Sequence, residues 1–121
     1  MNIEELRNYC LSKKGATECF PFGEDTLVFK VLDKAFALAS ISEPDSVNLK
    51  CDPEYAIELR EQYDAVQPGY HMNKKHWNTV ELRGGLDDKL ICKLIDHSYE
   101  MVVKAMNKKQ QNELAALNLS G

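Results

Sequence analysis

The stretch Thr26-Leu27-Val28-Phe29-Lys30-Val31-Leu32-Asp33-Lys34-Ala35-Phe36-Ala37-Leu38-Ala39-Ser40-Ile41 decides the fold. Over Thr26 to Leu32, Leu27, Phe29 and Val31 fall on one side, and Val28, Lys30 and Leu32 on the other. That period of two predicts a strand with one face in the core. Asp33-Lys34 reads as a tight turn, although it lacks the glycine that a type I′ turn prefers. Ala35 to Ile41 reads as the return strand, so the stretch is an antiparallel hairpin.

Strand signals continue on both sides. Before the hairpin, Thr17 to Phe22 is a short strand ending around Pro21 and Gly23. After it, Glu43-Pro44-Asp45 is a turn, and Val47, Leu49 and Cys51 alternate with Asn48 and Lys50. Ala65 to Gln67 and Asn78 to Arg83 supply two further strands, the latter with Val80 and Leu82 inward. Three helices complete the pattern. Asn2 caps the first, which runs to about Lys13 and stops at Gly15. Asp52-Pro53-Glu54 starts the second, with Ala56, Leu59 and Tyr63 inward. Asp87 or Asp88 caps the last, whose inner stripe is Ile91, Leu94, Ile95, Ser98, Val102 and Met106, running to at least Asn107.

The order is therefore α-β-β-β-β-α-β-β-α. Strands in blocks without interleaved helices predict an α+β fold, a two-layer sandwich of an antiparallel sheet with helices on one face. Residues 1–107 are expected to form the domain. Residues 108–121 are expected as a tail, a helical extension or disordered, with Leu114 and Leu117 as its apolar pair.

The chain has 121 residues, a net charge of −4 and 44% apolar residues. These are values of one globular domain with an ordinary core. No apolar run has the length of a membrane span, and the first residues lack the pattern of a signal peptide, so a cytoplasmic location and no membrane contact are expected. The scattered Cys10, Cys19, Cys51 and Cys92 read as buried thiols. His71 and His76 are not at metal-pair spacing, so neither a metal nor a cofactor is expected.

The charge is unevenly placed. From Pro68 to Gly85, Lys74, Lys75 and Arg83 oppose only Glu81, a local balance of +2 that leaves −6 for the rest. The same stretch holds His76 and the only tryptophan, Trp77. Basic residues interleaved with an aromatic can contact phosphates and stack a base; the alternative is a capped turn in which Trp77 anchors the loop on the core while the lysines are solvated. Lys30, Lys34 and Lys50 come from neighbouring strands and make the open sheet face positive if Lys30 and Lys50 share it. The alternative is that outward strand positions need polar residues, for which lysine is common. No nucleophile elbow, P-loop or dinucleotide motif occurs, so no enzyme is expected. Ser98 and Tyr99 read as structural, the tyrosine hydroxyl reaching towards the sheet edge.

Several landmarks together resemble the MmcQ/YjbR family of small bacterial proteins, over Asn2 to about Met106. They are Phe29-Lys30, Lys34-Ala35-Phe36-Ala37, Val47-Asn48-Leu49-Lys50 leading to Asp52-Pro53-Glu54, the run Pro68 to Trp77, Leu94-Ile95, Ser98-Tyr99 and Val102-Val103. The resemblance implies a two-layer domain with an antiparallel sheet, reminiscent of type III secretion chaperones and likened to a double-wing DNA-binding fold. It carries over no catalytic residue, and fold likeness alone assigns no function.

The leading expectation is weak, salt-sensitive DNA binding through Lys30, Lys34, Lys50, Lys74, Lys75 and Arg83, with His76 and Trp77 positioning the loop or stacking. The alternative is a chaperone-like protein–protein interaction module, a homodimer using the open sheet face. The third is a small-molecule binder with a pocket between sheet and helices, around Tyr70 and Trp77.

Overall fold

A computed structural model describes residues 1–70 and 72–117. Its elements are α1 (Ile3–Leu11), β1 (Ala16–Cys19), β2 (Thr26–Val31), β3 (Lys34–Ser40), β4 (Ser46–Lys50), α2 (Pro53–Gln62), β5 (Val66–Pro68), β6 (Trp77–Glu81), α3 (Asp88–Lys104) and α4 (Lys108–Ala116). The six strands form one sheet in the order β1-β2-β3-β4-β6-β5. Every neighbouring pair is antiparallel. The α+β architecture and the element order match the reading of the sequence, with α4 added at the end.

Helix α3 packs across β3 and β4, while α1 lies by β1 and α2 by β5. Leu27, Phe29, Val31, Ala37, Ala39, Val47, Leu49, Val66 and Val80 face these helices in one buried cluster. The whole expected α3 stripe, from Ile91 to Met106, is buried. Full burial of a side chain such as Phe29 or Ile95 stabilises by roughly 1.5–3 kcal/mol, so this layer dominates folding. Among the described residues, the main helix contacts of α1, α2 and α3 are all made with the face that carries Leu27, Phe29 and Val31.

The central hairpin departs from regular alternation. Phe29 pairs with Ala37, but Lys30 pairs with Ala35, leaving Phe36 as an extra residue. This β-bulge turns Phe36 into the core beside Ala37, and the phenyl ring meets Tyr99 edge-on at 5.4 Å. The turn also falls one residue earlier than expected. Val31 pairs with Lys34, so Leu32-Asp33, not Asp33-Lys34, closes the hairpin. Leu32 takes a left-handed backbone at φ 54°. That costs roughly 1–2 kcal/mol for a residue with a Cβ, and packing of its half-buried side chain against the core offsets it.

Other boundaries differ for local reasons. β1 stops at Cys19 before Pro21, which has no N–H for the ladder, so Phe20 and Phe22 stand exposed. β6 starts one residue earlier than expected, at Trp77, which pairs with Lys50, and it ends at Glu81, short of Arg83. α3 ends at Lys104, short of Asn107, because Asn107 caps α4 in a reciprocal box with Gln110. Leu114 of α4 is buried, whereas its expected partner Leu117 is 43% exposed. Gly15, at φ +73°, lets Leu114 approach, since a Cβ there would lie 2.7 Å from Leu114 Cδ1. All four thiols are free. Cys10 and Cys51 are buried as expected, but Cys19 on the edge strand and Cys92 on the flank of α3 are only half-buried. The sheet edges are short, four residues for β1 and three for β5, which ends on Pro68. Among the described residues no helix is long and apolar enough to cross a membrane.

Candidate functional site: the open sheet face

The register places Thr26, Val28 and Lys30 of β2 on the open face, with Ala35, Leu38 and Ser40 of β3, Asn48 and Lys50 of β4, and Trp77 and Thr79 of β6; Val28 among them is buried. Lys30 and Lys50 therefore do share that face. They lie two strands apart, roughly 10 Å. Lys34 opens β3 at the same end of the sheet, and Lys74 and Lys75 belong to the loop that enters β6 there. Arg83 does not join them. It follows β6 at the opposite end, 3.8 Å from Asp45, so the expectation that it lies near the 70–76 loop is corrected. That end also carries Asp25, Glu43 and Glu81.

The loop between β5 and β6 is fastened from below. Arg60 of α2 donates from Nε to Asn78 Oδ1 at 2.7 Å, and from a terminal nitrogen to the carbonyls of Lys74 and Trp77. Asn78 is 2% exposed and sends its amide to the Ala56 carbonyl. Lys74 Nζ donates to the Gly69 carbonyl at 3.2 Å, so this lysine partly serves its own loop. The His76 carbonyl accepts from the Cys51 amide at 2.8 Å, and its main chain positions the loop. Gly69 donates to the Trp77 carbonyl, and a Cβ on it would lie 2.9 Å from both Cβ and O of Trp77. His71 lies outside the described residues.

The loop is also fastened from the open face. The Tyr70 amide donates to Thr79 Oγ1 at 2.9 Å, and Thr79 Oγ1 donates to Asn48 Oδ1 at 2.5 Å. Asn48 Nδ2 closes the ring on the Tyr70 carbonyl at 3.4 Å. Asn48 and Thr79 are registered partners on β4 and β6, so the sheet itself sets where Tyr70 stands.

These elements border a groove of about 670 Å³ on the open face. Phe22 on one side and Tyr70, Met72 and Trp77 on the other line it above Leu38, Asn48 and Thr79. Phe22 is 74% and Tyr70 69% exposed. The pocket around Tyr70 and Trp77 thus lies on the far side of the sheet from the helices, not between the two layers as expected, because the bulge and the α3 stripe fill the interlayer space. Asp25 closes one end. Hydrogen bonding from Ser42 and Ser40 holds its carboxyl below the usual aspartate range.

Behind the sheet, Ser98 is fully buried and Tyr99 packs edge-on against Phe36. The Tyr99 hydroxyl donates to the Lys14 carbonyl at 2.5 Å, just before edge strand β1. Burial pushes the Cys10 and Cys51 thiols up to about 12, which keeps them protonated and inert. Among the described residues no group of three or more His, Cys, Asp or Glu is placed to hold a metal ion.

Arg60 and Asn78 hold the loop in place, and sequence reasoning missed both. The signal was available at Asn78, a polar residue in phase with inward Val80 and Leu82, which requires a buried partner.

Fold and site define a small two-layer α+β protein with one sheet face left open and grooved. The chain belongs to the YjbR family, which matches residues 11–101. It is 37% identical over 118 residues to the uncharacterized protein YjbR of Escherichia coli K12, covering 97% of this chain and 100% of that one. It is 36% identical over 75 residues to the uncharacterized protein YyaQ of Bacillus subtilis, covering 62% and 63% of the two chains. The crystal structure of Deinococcus radiodurans DR2400, described by the domain DUF419, superposes with a TM-score of 0.86 at 41% identity, covering 93% of this chain and 87% of that one.

Proposed function

We propose that this protein is a non-enzymatic binding protein that seats its ligand in the groove on the open sheet face. The observation that carries this reading is the pair of highly exposed aromatics, Phe22 and Tyr70, lining one hollow of ligand size. Water against such rings is unfavourable by roughly 25 cal/mol per Å², and an apolar ligand body relieves it. The neutral dye N-phenyl-1-naphthylamine tests the groove. Its emission is expected to rise with the protein and to fall back with Phe22→Ser plus Tyr70→Ser. Equal binding to both proteins, or none to either, would refute the reading.

The lysine cluster favours a second reading, binding of single-stranded DNA. Lys30, Lys34, Lys50, Lys74 and Lys75 gather at one sheet end beside Trp77, where phosphates and a stacked base would find partners. A duplex laid along the sheet would meet Glu43, Asp45 and Glu81 at the other end, so single strands are favoured. A filter-binding titration of a single-stranded and a duplex 12-mer at two salt concentrations checks it. No binding at low salt, or binding indifferent to salt, excludes this reading. A reducing, cytoplasmic setting suits the four free thiols under either reading.

A further inference from the structure

The groove carries charge of one sign. Among the described residues its charged lining consists of Asp25 and Glu43, with no lysine or arginine. Both carboxylates belong to the end of the sheet where Thr26 pairs with Ser40. Phe22 belongs to the loop beside them, and an aromatic face adds to the attraction for a cation. The other end is bordered by Tyr70, Met72 and Trp77. Beyond that end stand Lys50, Lys74 and Lys75, which repel a cation and so fix the direction in which a charged ligand lies.

Length narrows the ligand further. The lining follows β3 from Ala35 to Ser40, a run of roughly 17 Å at strand rise. An extended polypeptide covers that distance in about five residues. Strand addition at an edge is a poor alternative, since β1 and β5 are only four and three residues long.

We propose that the groove docks an extended segment of a partner protein that carries a lysine or arginine about four or five residues from an aromatic residue. The cation lies by Asp25 and Glu43, and the aromatic side chain lies by Tyr70 and Trp77. This rests on the groove being the binding site, as proposed above.

Emission of Trp77, the only tryptophan, reports occupancy. The probes are three capped peptides, Lys-Ala-Ser-Ala-Phe and the same sequence with Gln or Glu for Lys. The lysine peptide is expected to bind roughly fivefold more tightly than the glutamine peptide, with the glutamate peptide weakest, and the preference should shrink with salt. Glu43→Gln should narrow the gap between the lysine and glutamine peptides, with Asp25 retaining the remainder. Equal binding of all three overturns the charge assignment but leaves the groove reading intact. Failure of all three, together with failure of the neutral dye, removes both. Phenethylamine competing as strongly as the peptide would make a small amine the occupant. Sedimentation showing a dimer that Phe22→Ser plus Tyr70→Ser dissolves would make it a second copy. Either result overturns the proposal.

Discussion

The Ser98 hydroxyl donates to the Phe36 carbonyl at 2.5 Å and accepts from the Lys50 amide at 2.8 Å. Phe36 is the bulged residue, whose backbone lacks a ladder partner, and Lys50 is the last residue of β4. One side chain from α3 therefore completes two strands, and Ser98 itself is fully buried. Ser98→Ala leaves a buried carbonyl and a half-buried amide unpaired, and should destabilise by about 1–3 kcal/mol. Urea unfolding should show a lower midpoint with an unchanged slope. A loss below about 0.5 kcal/mol would contradict this role.

His97 should make stability depend on pH. Its Nε2 accepts from the Asp52 amide at 3.1 Å, and its ring meets Tyr55 edge-on. Burial lowers its pKa from the ordinary 6.5, against the opposing pull of Asp52 and Glu100, while Lys104 assists. The unfolded state then binds the proton more readily. Stability is complete above the ordinary histidine value and is lost as pH falls through it towards the folded value. Unfolding midpoints across about pH 5 to 7 should fall on acidification, and His97→Gln should flatten that slope. A wild-type profile flat over this window would count against the assignment.

The Arg60–Asn78 contact should couple helix α2 to the loop between β5 and β6. Arg60→Met leaves a buried amide oxygen unpaired and should cost about 1–3 kcal/mol. Adding Asn78→Leu should recover part of that loss, because the unpaired group is then gone. A double-mutant cycle should give a coupling of at least about 0.5 kcal/mol. Trp77 emission should shift in the single variant, because Arg60 also holds the carbonyls of Lys74 and Trp77.

Thr79→Val separates positioning from folding. The substitution keeps the shape and suits a strand, but it breaks the ring that ties Asn48 and Thr79 to the backbone of Tyr70. Stability should fall by no more than about 1.5 kcal/mol, while affinity for the neutral dye drops severalfold. Unchanged affinity would show that Tyr70 needs no such tie.

How far the sequence could be read depends on whether a pattern was local. The alternation of Leu27, Phe29 and Val31 and the helical spacing from Ile91 to Met106 each describe one element against the core, and both faces emerged as expected. The turn at Leu32-Asp33 was misplaced because the bulge at Phe36 shifts register, and a bulge is defined by two strands together. Lys30 and Lys50 could be placed on one face by parity. The wrong side for Arg83 came from adjacency in sequence, since the length of β6 separates it from the loop. Asp25 and Glu43 were not legible as parts of the site, because the groove gathers them with Tyr70 from distant segments.

The brevity of β1 and β5 has a consequence for how the molecule avoids its own kind. A sheet of six strands offers two rows of backbone hydrogen-bonding groups along which copies could polymerise, and here those rows are four and three residues long, one of them interrupted by Pro68. The fold can therefore keep sticky aromatics on a broad open face without seeding fibres from its margins. Contact with another chain has to be negotiated through side chains, which can discriminate, and not through backbone, which accepts any sequence.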